Sequence, residues 1–210
     1  MGVYSLYLDH STVDRMCALL VDGRVVEACL SDQGRSRHPC LTWQQLLDRH
    51  GLQRTAISFF ACGVGPGSYT GLRSAAATVQ AAAFALEKPI VALSSLLLCV
   101  PTEEGEYLAM ADAGPGGAFV QCVTIRAGQC HVLRPERMEV PSALALIQPG
   151  LKPVSVSTEW IWAKAPERER LDIQVVSPHA GTAALFAYQE WRSGHLCSAS
   201  KLPLEYPRKI

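Results

Sequence analysis

The stretch from Ala56 to Leu93 constrains the fold more than any other part of the chain. Ala56-Ile57-Ser58-Phe59-Phe60-Ala61-Cys62-Gly63-Val64 is a nearly unbroken apolar run of strand length, the pattern of a strand buried on both faces. A glycine-rich loop follows, Gly65-Pro66-Gly67-Ser68-Tyr69-Thr70-Gly71, and opens an alanine-rich helix that runs to Leu86 and ends before Pro89. Pro89-Ile90-Val91-Ala92-Leu93 reads as a second buried strand, with Ser94 and Ser95 starting the next helix. Ala75, Ala76, Ala77, Ala81, Ala82, Ala83 and Ala85 leave the long helix without bulk on either side, so neighbouring elements can approach its backbone closely.

Upstream, Val3 to Leu8 reads as a strand ending in Asp9, and Arg15 to Val21 and Arg24 to Cys29 as two more. Asp22-Gly23 between them is a two-residue hairpin signal, because both turn positions need φ > 0. Trp43, Leu46 and Leu47 predict a short amphipathic helix to His50, with Thr42 as its N-cap and Gly51 as its stop. The polar, turn-rich segment Thr102-Glu103-Glu104-Gly105-Glu106 is the candidate boundary between lobes, residues 1–102 and 103–210. Beyond it, Tyr107–Ala111 ending in Asp112, Ala118–Ile125, Gln129–Leu133 and Val154–Ser157 read as strands, and Ala180–Trp191 as a helix stopped by Gly194. Two successive sets of meander followed by strand and helix predict a duplicated architecture without a residue-level repeat.

At 210 residues the chain is long enough to fold without staples, and its 49% apolar and 18% charged residues exclude a mainly disordered chain. They point to a large core, or to an additional apolar surface covered by a partner. Lysine plus arginine balance aspartate plus glutamate at 19 each, so no global positive field is available to hold a polyanion. The short clusters Arg24, Arg35, Arg37 and Arg168, Arg170 read as a local patch or, more simply, a solvated rim. Eight scattered cysteines without a C-x-x-C pair resemble reduced core thiols. With no basic, apolar leader and no long apolar stretch free of breakers, a cytoplasmic protein with no membrane contact is expected.

Chemistry is sparse. The glycine loop at a helix start is placed as a phosphate cradle would be, but it matches neither G-x-x-x-x-G-K-[ST] nor G-x-G-x-x-G. The simpler reading is that Gly65 and Gly67 permit a tight turn while Ser68 or Thr70 caps the helix. Pro66 and Thr70 break the G-x-S-x-G elbow that Ser68 would need as a nucleophile. Asp9 and Asp112 at strand ends are candidates to hold magnesium or activate water, against the alternative that Asp9 caps the turn at His10-Ser11-Thr12. No pair among the six histidines has H-x-x-x-H or H-E-x-x-H spacing, so no histidine metal site is expected.

Val64-Gly65-Pro66-Gly67-Ser68-Tyr69-Thr70-Gly71-Leu72-Arg73, the alanine-rich helix, then Pro89 and Leu93-Ser94-Ser95-Leu96 together resemble the signature of the TsaB/YeaZ family. Leu8-Asp9-His10-Ser11-Thr12 is similar to that family's opening Asp-Thr-Ser-Thr, with His10 in place of threonine. Arg37-His38 before a helix and Pro203-Leu204-Glu205-Tyr206-Pro207-Arg208 at the end add looser likenesses. The second lobe departs: Asp112-Ala113-Gly114-Pro115-Gly116-Gly117 stands where the family has Asp-Ala-Arg and Gly-Glu-Val-Tyr.

The resemblance implies an α/β, actin-like ATPase (ribonuclease-H-like) fold in two lobes, each a mixed sheet with helices, around a degenerate nucleotide cleft. It implies a non-catalytic subunit that pairs with a metal-bearing catalytic homologue, TsaD, assisted by the ATPase TsaE, in placing threonylcarbamoyl on the adenosine beside the tRNA anticodon. It further implies a homodimer when alone, contact with tRNA only indirectly, and no cofactor beyond a weak or shared nucleotide at the partner interface. Family dimers form through the first two helices, and here Leu72, Ala75, Ala76, Val79, Ala82, Ala83 and Leu86 share one helix face and are expected at the interface. The alternative packs that face on the chain's own sheet and leaves Ala77, Ala81 and Ala85 outward. The motif residues carried over are Asp9, Ser11, Thr12, Gly65, Gly67, Ser68, Thr70, Gly71 and Arg73. Two enzyme readings compete. A glycoprotease-like peptidase lacks an evident way to activate water or a serine, and a small kinase of the same fold lacks a glycine in the loop after Asp9.

Overall fold

The computed structural model describes residues 2–31, 39–165 and 171–204. Arg35, Arg37, His38, Arg168, Arg170 and the closing segment 205–210, which entered the sequence reading, lie outside the described residues.

The chain opens as an antiparallel meander of β1 (Tyr4–Asp9), β2 (Arg15–Val21) and β3 (Arg24–Ser31). Asp22 and Gly23 adopt φ of 48° and 78°, the left-handed pair that an Asp-Gly hairpin requires. Helix α1 (Pro39–Arg49) then crosses to β4 (Ile57–Gly63), and α2 (Tyr69–Leu86) to β5 (Ile90–Leu93). β4 lies parallel to both β1 and β5, giving a five-stranded sheet in the order β3-β2-β1-β4-β5.

After a 3-10 turn at Ser95–Cys99 the same plan is used again. β6 (Gly105–Asp112), β7 (Gly117–Arg126) and β8 (Gln129–Val132) form a second antiparallel meander. Its β7–β8 turn, Ala127-Gly128, again has both φ values positive, at 50° and 71°. β9 (Glu136–Glu139) pairs with the first residues of β7, α3 (Val140–Ala145) leads to β10 (Leu151–Ser155), and α4 (Glu159–Lys164) precedes β11 (Gln174–Val175). Read from its meander edge, the second sheet runs β8-β7-β6-β10-β11, with β10 parallel to β6 and β11, so the order of the first sheet recurs.

The layers follow from which strand face is apolar. Alternate residues of the first sheet, among them Leu6, Leu8, Cys17 and Phe60, pack beneath α1 and α2. Tyr7, Met16, Ala18 and Phe59 face the other way, into a core shared with Tyr107, Val123 and Val154 of the second sheet and with Ala183, Ala184 and Ala187 of α5 (Gly181–Arg192). α3 and α4 cover the far side of the second sheet. Thr182 Oγ1 of α5 donates to Val100 O at 2.6 Å, and the chain then returns to the first sheet, where Cys197 and Ile90 exchange backbone hydrogen bonds of 2.7 and 3.0 Å.

Several sequence expectations change. α1 begins at Pro39, so Thr42 lies within the helix and does not cap it; proline is well suited to a first helical turn, where its missing N–H has no partner to lose. α2, by contrast, runs to Leu86 and stops before Pro89 as expected, with Glu87 in the left-handed conformation as its C-cap. β9, α3, α4 and β11 have two to six residues each, too few for a periodic pattern to emerge in sequence.

Candidate functional site

Asp9 ends β1 with its side chain fully enclosed. Its Oδ1 accepts the backbone N–H of Ser11 at 2.7 Å, and its Oδ2 accepts the hydroxyl of Tyr7 at 3.0 Å. Burial pushes the carboxyl above its ordinary range, with the hydrogen bonds from Ser11, Ser95 and Tyr7 pulling back. Asp9 therefore caps the turn that follows it, and its carboxylate is not presented to solvent. Asp112, at the corresponding end of β6, accepts Gly114 N–H at 2.8 Å and pairs with Lys164. Among the described residues no group of three histidine, cysteine or acidic side chains is arranged to hold a metal ion. Of the two readings of Asp9, the one in which it caps its own turn is supported by this geometry, and Asp112 is paired with Lys164.

The glycine loop is locked onto the same turn. Ser68 N–H donates to Ser11 O at 2.8 Å, Gly71 N–H donates to Ser68 Oγ at 3.3 Å, and Ser95 N–H donates to Gly65 O at 2.7 Å while Gly65 N–H returns a bond to Ser95 Oγ at 3.1 Å. A Cβ on Gly71 would stand 1.9 Å from His10 O, one on Gly67 2.4 Å from Ser11 Cβ, and one on Gly63 1.8 Å from Asp9 Oδ2. These glycines are required by close approach of chain to chain. The turn at His10–Ser11 occupies the place before the α2 N-terminus where a phosphate cradle would put its anion, and the capping reading of Ser68 is the one the geometry supports.

Beside this knot opens a cleft of about 580 Å³, lined by Ser11, Thr12, Arg15, Ser68, Thr70 and, just past β10, Val156. His10 also lines it, is 4% exposed, and its Nδ1 has no hydrogen-bond partner among the described residues. Desolvation, reinforced by the nearby Arg15 charge, lowers its pKa to about 4, so the imidazole is neutral at physiological pH. The motif residues Asp9, Ser11, Thr12, Gly65, Gly67, Ser68, Thr70 and Gly71 come together here in the structure. Arg73 stands apart on the outer face of α2, where its guanidinium bonds the Tyr69 hydroxyl at 2.6 Å. Tyr7 and Gly63 were missed; the Tyr-x-Asp spacing, which puts both side chains on one strand face, is the signal that would have found Tyr7.

Of the stripe expected at the interface, Leu72, Ala75, Ala76, Val79 and Ala83 are buried within the chain, whereas Ala82 and Leu86 are half-buried and wall a groove beside α1. The face of α2 turned to solvent carries Ala77, Ala81, Ala85 and Phe84, the last 79% exposed. Next to it a groove of about 310 Å³ runs between α1 and α2, walled by Leu41, Trp43, Leu47, Ala82, Ala85 and Leu86. Leu41 itself is 61% exposed.

Among the described residues no helix is long and apolar enough to cross a membrane. Residues 39–134 match the family model of TsaD, tRNA N6-adenosine threonylcarbamoyltransferase. No curated protein matches the chain. Among solved structures, YeaZ from Pseudomonas aeruginosa is similar, at 23% identity and a TM-score of 0.78 over 97% of this chain and 99% of that one. An uncharacterized Pseudomonas aeruginosa protein with similarity to peptidase YeaZ aligns at 25% identity and a TM-score of 0.79 over 98% of this chain and 100% of that one. Residues 39–134 thus match the TsaD family model, and nearly the whole chain shares its fold with YeaZ.

Proposed function

We propose that this chain is a non-catalytic docking subunit of the machinery that builds threonylcarbamoyladenosine beside the tRNA anticodon, in the manner of TsaB. It pairs with a TsaD-like catalytic subunit, with a TsaE-like ATPase assisting, forms a homodimer when alone, and meets tRNA only through its partners. It acts in the cytoplasm and holds no cofactor of its own beyond a nucleotide shared at the partner interface. The observation that carries this reading is the uncovered apolar surface of the first lobe: Phe84 beside the exposed Ala77, Ala81 and Ala85 in the second half of α2, next to the groove between α1 and α2. Small residues allow a partner helix to approach closely, and one large exposed aromatic beside a groove is the usual shape of an anchor.

The test is light scattering on size-exclusion chromatography of the chain alone and mixed with the TsaD-like protein of the same organism, with a threonylcarbamoylation assay alongside. A complex on which modification depends, lost in Phe84→Glu, is the expected result. No complex and no dependence overturns it.

The similar protein described by likeness to a peptidase makes proteolysis the second reading. Ser68 Oγ is engaged by Gly71 N–H, and no serine bonds His10 among the described residues, so a charge-relay pair is not assembled. Cleavage of casein by the purified chain, abolished by Ser68→Ala, would favour it.

A further inference from the structure

Cys17 on β2 and Cys29 on β3 are direct partners in the antiparallel ladder. Both side chains point to the same face of the sheet, into the cluster beneath α1. Opposed residues in such a ladder have Cα atoms about 4.5–5.5 Å apart, inside the range of roughly 4.4–6.8 Å that a disulfide spans. The two thiols differ in access, since Cys17 is buried and Cys29 is half-buried at the sheet edge. Arg49, in the last turn of α1, sets its Nη2 3.9 Å from Cys29 Sγ while also pairing with Glu27 at 2.6 Å.

We propose that Cys29 and Cys17 form a thiol-oxidation site, in which a peroxide or a glutathione disulfide converts the pair to a cross-strand disulfide. With hydrogen peroxide the Cys29 thiolate attacks one peroxide oxygen, the O–O bond breaks, and hydroxide leaves with the sulfenic acid of Cys29 formed. Cys17 sulfur then attacks the Cys29 sulfur, the S–O bond breaks, and water leaves with the Cys17 proton. Each sulfur loses one electron, and one peroxide becomes two waters. With glutathione disulfide, Cys29 displaces one glutathione thiol to give a mixed disulfide, and Cys17 displaces the second. Cys29 is the entry point because it is the accessible member, and Cys17 is the resolving thiol because β-sheet pairing holds it opposite. The bond ties the edge strand β3 to β2 under α1, the helix whose Leu41 and Trp43 wall the apolar groove.

The third thiol of this region, Cys40, starts α1 on the groove side and is the natural competitor. The full chain is treated with hydrogen peroxide or with oxidised glutathione, digested without reduction, and mapped by mass spectrometry. The expected product has lost two hydrogen atoms, links the Cys17 and Cys29 peptides, and reverts with dithiothreitol. Cys40→Ser should form the same link, and Cys29→Ser should leave Cys17 unmodified. A Cys29–Cys40 link, a stable glutathione or sulfinic adduct on Cys29 with no link, or an unmodified pair would each overturn the proposal.

Discussion

Tyr7 donates its hydroxyl to Asp9 two residues along the same strand, at 3.0 Å, with both side chains wholly enclosed. The phenol belongs to the core between the two sheets and the carboxylate to the turn that α2 docks on, so one buried hydrogen bond joins packing to loop geometry. Tyr7→Phe leaves an acceptor short of a donor and should destabilise the chain by about 1–3 kcal/mol, read from urea unfolding.

Because burial raises the Asp9 pKa, the folded chain binds a proton there at a pH where the unfolded chain does not. That contribution is fully present below the ordinary carboxylate value of 3.8 and is lost as pH rises through the folded value. Wild type should therefore gain stability relative to Asp9→Asn as pH is lowered from 7 towards the carboxylate range. A gap that stays constant across that titration would contradict the raised pKa.

His10 acts in the opposite direction. Its pKa falls from 6.5 to about 4, so its contribution is present above pH 6.5 and is lost as pH falls through about 4, where the imidazole must charge inside the cleft. The loss over this window is of order 2–3 kcal/mol. His10→Gln should flatten the corresponding part of the stability curve, measured by denaturant midpoint at successive pH values.

Gly71→Ala tests whether contact or propensity governs the start of α2. Replacing glycine by alanine within a helix ordinarily gains about 0.8–1 kcal/mol. Here the new Cβ would lie 1.9 Å from a backbone carbonyl, which cannot swing away as a side chain could. A net loss of about 2 kcal/mol or more is expected by thermal unfolding.

Ala76→Glu separates the two faces of α2. Ala76 is 3% exposed where it lines a pocket with Arg73 and Leu204, so fitting a carboxylate there should cost about 1–3 kcal/mol of folding stability. Phe84→Glu, on the exposed face, should leave the unfolding midpoint within about 0.5 kcal/mol of wild type while removing association. Equal destabilisation by both would place Phe84 in a core.

Local order along the backbone was legible from sequence wherever a single element carries its own period or turn chemistry. The Asp22-Gly23 hairpin, the doubly covered β4, the long helix after the glycine loop and the repeated meander all follow from residues close in the chain. So did the composition of the Asp9 to Gly71 motif, because glycines and short hydroxyl residues announce a tight place before anything shows what fills it. What fills it was decided only in three dimensions: the turn at His10 and Ser11, far earlier in the chain, closes on the α2 N-terminus. The choice between the two alanine-rich faces of α2 was likewise invisible in sequence, since both are apolar and a helix alone has no preference between a sheet and solvent. Sheet packing made that choice, burying Leu72, Ala75, Val79 and Ala83 and leaving Phe84 outside. Hydrophobic burial acts on surfaces that only the assembled fold defines.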